Sequence, residues 1–215
     1  FAEFKALDAQ LLAYVADSQP GTSSVAGREK ARAEHIARII KDCWLQQSPH
    51  LALPPLKGPL PPLTADFSRL TLLTLDSVVW SDTADTFLSR LPNLENLTIS
   101  HCDLEKLPAE ISAMSRLTHL NLTSNQIKLD ENSAGALSAL HQLVSIDLSN
   151  NPLQMLPDFS AMSGLQILDL KNTGISEWPT GLADKITLTG LDLSNNKLRE
   201  VPGAHINPPA DQLAV

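Results

Sequence analysis

Residues 99–108 read ISHCDLEKLP, and three of them in a row could do chemistry. Cys102 offers a thiol to attack, His101 an imidazole to take its proton and Asp103 a carboxylate to orient the ring. Such a site needs its members to converge, whereas consecutive side chains on an extended chain point to opposite sides. What Cys102 does therefore depends on the element that carries it. The other cysteine, Cys43, lies far upstream in sequence of a different kind. Two cysteines so placed fit neither a disulfide framework nor a zinc-type spacing.

The element is a repeat. Written as L-x-x-L-x-L-x-x-N-x-L, it appears as LTLLTLDSVVW (70–80), LENLTISHCDL (94–104), LTHLNLTSNQI (117–127), LVSIDLSNNPL (143–153), LQILDLKNTGI (165–175) and LTGLDLSNNKL (188–198). The starts lie 24, 23, 26, 22 and 23 residues apart. This is the leucine-rich repeat pattern. LALPPL (51–56) reads as a degraded earlier copy, its Leu53 standing 22 residues before Leu75. Each L-x-L predicts a short strand whose leucines face the interior: Leu73 and Leu75, Leu97 and Ile99, Leu120 and Leu122. The fold expected is an α/β leucine-rich-repeat solenoid. A curved parallel sheet lines its concave side, and short helices or extended segments return along the convex side. LPAEISAMSRL and DENSAGALSAL carry helical apolar spacing, and the 26-residue copy is expected to hold the longest of these helices. Pro108, Pro157, Pro179 and Pro202 mark where those return segments begin.

The ninth template position is filled by Val78, Cys102, Asn125, Asn151, Thr173 and Asn196. There the chain bends out of the strand and leaves inward-facing backbone groups without a ladder partner. An Asn amide can donate to and accept from them, Thr and Cys can meet part of the need, and Val none. Cys102 thus occupies a structural slot with its sulfur buried. His101, one position earlier, points to the opposite face. No catalytic residue is assigned to this chain.

Recognition is expected on the concave strand face, where the variable positions of each repeat are displayed. The fifth-position column reads Thr74, Thr98, Asn121, Asp147, Asp169 and Asp192. Three stacked carboxylates about 5 Å apart repel one another by roughly a kcal/mol per pair before salt screening. A basic partner would relieve that; alternatively L-D-L is a common spelling of this strand with its Asp solvated. Glu95, His101, His119, Ser145, Ile167 and Lys171 diversify the same face, Ile167 as an exposed apolar anchor. His101 and His119 lack a third ligand and a matched register, so no metal site and no cofactor are expected. The Asn-x-Thr tripeptides at 96–98 and 121–123 lie within predicted strands and read as chance matches to the glycosylation pattern.

Outside the repeats the chain changes character. Phe4, Leu7, Leu11 and Tyr14 predict a helix over 2–17, followed by a loop over 17–27. Ile36, Ile39/Ile40, Cys43 and Trp44 predict a second helix over 28–46. The domain plan is an N-terminal helical cap (1–47), a Pro-rich lead-in with the degenerate first repeat (48–69), the repeats (70–203) and a tail (204–215). SPHLALPPLKGPLPPL (48–63) could bind a reader of Pro-rich peptides or serve as a stiff connection into the first repeat. Residues 1–69 carry 8 Lys/Arg against 7 Asp/Glu, and residues 70–203 carry 8 against 16. An acidic body without a basic patch argues against nucleic acid and against anionic membrane surfaces. No apolar run approaches the roughly 20 residues of a membrane span.

The sequence also resembles a family. REKARAEHIARIIKDCW (28–44) before a Pro/Leu-rich lead-in looks like the helical cap of bacterial leucine-rich-repeat effectors of the novel E3 ligase (NEL, IpaH-type) class. ADFSRLTLLTL, NQIKLDENSAGALSAL, NPLQMLPDFSAMSGLQILDLKNTGISEWPTGL and NPPADQL resemble the repeat block of the large environmental-pseudomonad-type members. The resemblance implies secretion from a bacterium into the host cytoplasm. It also implies repeats that bind a host protein substrate and restrain a separate C-terminal ligase domain, which alone would meet E2-ubiquitin. The family's nucleophile stands in a Cys-x-Asp motif. Cys43 is followed by Trp-Leu and Cys102 by Asp-Leu, so that domain is not within these 215 residues. The start at Phe1, without Met or a leader, and the tail after residue 203 suggest a piece of a longer chain.

Overall fold

The computed structural model describes residues 2–18, 24–183 and 185–200, the side chains of 24–26 excepted. Pro202, the tail expected over 204–215 and part of the loop expected over 17–27 lie outside the described residues. The chain divides into two compact units, Phe1–Leu104 and Glu105–Val215.

In the first unit, α1 (Ala2–Asp17) and α2 (Ser24–Leu45) precede β1 (His50–Ala52), β2 (Leu72–Asp76), α3 (Asp82–Leu88) and β3 (Asn96–Ser100). The strands are parallel in the order β1-β2-β3, with Leu51 beside Leu73, Leu73 beside Leu97 and Leu75 beside Ile99. The 22-residue offset read from the degraded copy is thus the strand register itself. Alternation does the rest: Leu73, Leu75, Leu97 and Ile99 are buried, while Leu72, Thr74, Asn96 and Thr98 between them are only half-buried. The lead-in contributes Leu51, Leu53, Leu56, Leu60 and Leu63 to the core. Arg90 fixes it by donating to the carbonyls of Leu63 and Ala65 at 3.0 and 2.6 Å. Its leucine side chains face the interior.

α2 starts four residues earlier than its apolar stripe alone predicts. Ala33, Ile36, Ala37, Ile40 and Cys43 are buried at three- and four-residue steps and face Leu7 and Leu11 of α1 and the β1 strand. Each fully buried Ile or Leu contributes at most about 2 kcal/mol here. Trp44 stays half-buried and stacks on Phe4 with ring centroids 6.1 Å apart. The periodicity reading overlooked α3, whose only apolar residues are Ala84, Phe87 and Leu88; Phe87 meets Phe67 edge-on at 5.5 Å.

The second unit holds β4 (His119–Asn121), α4 (Glu131–Ser138), β5 (Ser145–Asp147), β6 (Ile167–Asp169) and β7 (Gly190–Asp192). These strands are parallel in the order β4-β5-β6-β7. α4 lies in the 26-residue copy and is the longest helix of the repeats among the described residues. A capping box starts it: the Ser133 N–H donates to Asp130 Oδ1 at 2.8 Å and the Asp130 N–H to Ser133 Oγ at 2.8 Å. The helix expected in LPAEISAMSRL is a 3-10 turn, Ala109–Ala113. Ile111, Met114 and Leu117 are buried at a strict three-residue step, which is the period of that tighter turn. Leu191 of β7 is 38% exposed although its equivalents Leu120, Ile146 and Leu168 are fully buried. No described strand lies beyond it.

One backbone feature recurs in both units. Ser77, His101, Ser124, Asn150, Asn172 and Asn195 have φ between 52° and 57°. Each stands one residue before the ninth template position and turns the chain out of its strand. Asn holds three of these six places, as expected for a left-handed site without Gly.

Candidate functional site

The nucleophile reading fails on geometry. Cys102 is buried, whereas His101 is exposed and Asp103 points outward, each with φ near 50°. His101 Nδ1 lies 2.9 Å from Asp76 Oδ1. The Cys102 thiol donates to Ser100 O at 3.1 Å and accepts from the Val78 N–H at 3.3 Å. Burial pushes its pKa up to about 11, with the Asp76 carboxylate adding to the rise. A thiol so held is protonated at neutral pH and inert. Burial raises the Cys43 thiol as well.

The ninth-position amides do what the spacing required. Asn151 is 1% exposed; its Nδ2 donates to Leu122 O, Leu148 O and Ser149 O at 2.9–3.2 Å, and its Oδ1 accepts from Ile127 N at 3.0 Å. Asn196 Nδ2 donates to Leu170 O at 2.7 Å and Leu193 O at 2.9 Å. Its Oδ1 accepts from Thr173 N and Gly174 N. The side chain of one turn therefore closes the backbone of the turn before it.

The candidate recognition residues fall on the strand faces of the two units. In the first, Glu95 and His101 flank β3 and Thr98 sits within it, in register with Thr74. In the second, two columns form. His119, Ser145, Ile167 and Gly190 are successive partners in one; Asn121, Asp147, Asp169 and Asp192 in the other. Lys171 follows β6 and is exposed. His119 Nδ1 lies 2.9 Å from Thr118 Oγ1. Among the described residues no three His, Cys, Asp or Glu side chains group as metal ligands.

The acidic column has a local role that the spacing argument missed. Asp147, Asp169 and Asp192 each accept, through Oδ1, the main-chain N–H two residues on, at 2.8–2.9 Å from Ser149, Lys171 and Ser194. Asn121 does the same with Thr123 N at 2.9 Å. These are Asx turns, and they end each strand. The charges still interact. Partial burial raises the Asp169 carboxyl, and Asp147 and Asp192 on either side raise it further against the Lys171 N–H and ammonium. Asp192 is held low by the Ser194 hydroxyl and N–H. Asp followed two residues later by Ser, at Asp147 and Asp192, was the available signal for two of the three turns.

A second concavity, about 430 Å³, opens between residues 154–158 and 175–180 of the second unit, lined by Met155, Pro157, Trp178 and Pro179 with Asp158 and Glu177. The Asp158 carboxylate is committed to Ser160 N and Oγ, at 2.8 and 2.6 Å. No helix among the described residues is long and apolar enough to cross a membrane.

Comparison with known proteins agrees with this architecture. A leucine rich repeat family profile matches residues 92–153. The chain is 32% identical over 117 residues to an adenylate cyclase of Podospora anserina, covering 54% of this chain and 5% of that protein. The functional domain of InlJ from Listeria monocytogenes shares the fold with a TM-score of 0.51 at 29% identity, over 63% of this chain and 27% of that one. YopM from Yersinia enterocolitica reaches a TM-score of 0.63 at 23% identity, over 93% and 40% respectively. The chain thus spans less than half the length of each of these proteins. With its register, its ninth-position ladder and the matched profile, the chain carries a leucine-rich repeat domain, a protein-interaction module.

Proposed function

We propose that the strand faces of the repeats bind a protein partner, and that the chain is the substrate-recognition and restraining part of a secreted bacterial ubiquitin ligase. The in-register display on β4–β7 supports the first half: a fixed frame of buried leucines carries columns of varied, partly exposed side chains. The resemblance of residues 28–44 and of the repeat block to NEL-type effectors supports the second, as does the fold shared with two bacterial proteins. Residues 1–47 would cap the β1 edge, 48–69 lead into the repeats, and 70–203 carry recognition. Ubiquitin transfer would belong to a domain outside these 215 residues, delivering to a host protein in the host cytoplasm.

A ubiquitin-transfer assay with E1, E2 and ubiquitin, run on the full-length gene product beside this chain alone, tests the proposal. A thiol-reducible ubiquitin adduct and chain formation are expected for the full-length protein, and neither for residues 1–215. A folded full-length protein that transfers nothing would leave a non-enzymatic leucine-rich repeat adaptor, for which the matched profile speaks equally.

A further inference from the structure

The strand face of the second unit combines two features in adjacent columns. In the first, Ile167 is 50% exposed, and the next residue along its column is Gly190. A Cβ on Gly190 would sit 3.6 Å from Ile167 Cγ1, in ordinary contact, so its absence leaves one flank of the Ile side chain bare. The result is a small apolar notch. In the second column, Asp147, Asp169 and Asp192 lie on three neighbouring strands, about 4.8 Å apart. The Asx turns hold one oxygen of each carboxylate, and the other takes no hydrogen bond among the described residues. Lys171 is the cation that acts on Asp169 and Asp192, and one ammonium does not balance three carboxylates. The repulsion is already present in the free protein, so a cation arriving from outside relieves it. Because the turns fix these side chains, little rotamer freedom is lost when that happens.

We infer that this face takes a basic segment of its protein partner, which seats an aliphatic side chain in the notch over Gly190 beside Ile167 and lays Arg or Lys side chains across Asp147, Asp169 and Asp192. The inference rests on the recognition function proposed above and adds the partner's chemistry. Spacing supports it. The two columns stand two residues apart along each strand, roughly 6.6 Å, which is the distance between same-face side chains of an extended segment. A guanidinium suits carboxylates with one free oxygen, since its planar fork bridges two of them. Phosphate-bearing ligands would meet the same three negative charges and be repelled.

A random nonapeptide display library, selected against the purified chain, tests this. Enriched peptides should carry two or more Arg or Lys with an aliphatic residue two positions away. The control protein is the triple variant D147N/D169N/D192N, in which each Asn keeps the turn as Asn121 does with Thr123 N. A synthetic enriched peptide should bind that variant at least about tenfold more weakly, and its affinity should fall steeply with salt. Gly190→Val, which fills the notch within a strand, should weaken binding about threefold or more while raising stability. Enrichment without basic residues, equal binding to the triple variant, or no enrichment would overturn the inference. Amide shifts in NMR spectra separate it from the broader function. Neutral peptides that perturb β5–β7 would preserve recognition at this face and sink only the basic partner; peptides that perturb only other surfaces would sink both.

Discussion

The two units solve one problem with different chemistry. Each turn must leave its strand and close inward-facing backbone groups. The first unit does so with Val78 and with Cys102, whose sulfur makes weak bonds to Ser100 O and Val78 N. The second uses Asn125, Asn151, Thr173 and Asn196: all four bond a carbonyl of their own turn, and Asn151 and Asn196 also bond the turn before. The left-handed residue before the bend is the same in both, as is the register of one leucine on the next. Backbone geometry is therefore set by the repeat, and the ninth side chain decides how tightly turns are bonded. The first unit has other means: α1, α2 and the Phe67–Phe87 pair bury area that the second lacks.

Removing an amide should hurt most. Asn151→Ala leaves Ile127 N and the carbonyls of Leu122 and Leu148 buried without that partner. A loss of about 3–5 kcal/mol is expected in urea unfolding, with hydrogen exchange showing that Ile127 N loses protection. A loss below 1 kcal/mol would break the contrast between units. Next is reactivity. With its pKa at about 11 against an ordinary 9.0, Cys102 holds about a hundredfold less thiolate at pH 8, before burial slows access further. Labelling of the native protein by a bulky disulfide reagent should leave Cys102 unmodified while the unfolded chain reacts. Fast labelling of Cys102 would revive its candidacy as a nucleophile. Cys102→Ala should cost only about 1–2 kcal/mol, from the vacated sulfur volume and one weak acceptor.

Much of this was legible in the sequence because a repeat is read many times over. Six copies set the strand positions, and the offset of the degraded copy placed β1 beside β2. Cys102 was assigned its slot from neighbours in the same column, without any structure. What escaped had a single-copy or main-chain cause. α3 shows only three apolar residues in seven, too few for a period. The turn at 109–113 differs from an α-helix by one residue in the hydrogen-bond step, and over so short a span a three-residue apolar step also fits one face of an α-helix. The Asx turns of the acidic column bind the main chain, so the column read as charges alone. Of the candidate site, the residues of the strand face were named, but the notch was missed, because it depends on a missing side chain at Gly190 beside Ile167.

That column gives the smallest and sharpest test. Threonine fills it at Thr74 and Thr98 in the first unit, and carboxylates fill it at Asp147, Asp169 and Asp192 in the second. Burial and the two flanking carboxylates raise Asp169 above its ordinary 3.8. A carboxyl raised on folding contributes stability below its unfolded value and loses it as pH rises through its folded value. Asp169→Asn keeps an acceptor for the Lys171 N–H and removes the charge. The variant should therefore be more stable than the parent at pH 7, by about a few tenths of a kcal/mol after solvent screening, with the difference shrinking to zero below the ordinary carboxylate value. Asp130 and Asp158 are held low and act in the opposite sense, but they are common to both proteins and cancel. Thermal melts of the two proteins between pH 3 and pH 8 read the difference directly. If the Asn variant is less stable at pH 7, Asp169 is already compensated within the chain, and the second unit's strand face holds no unrelieved charge to offer a partner.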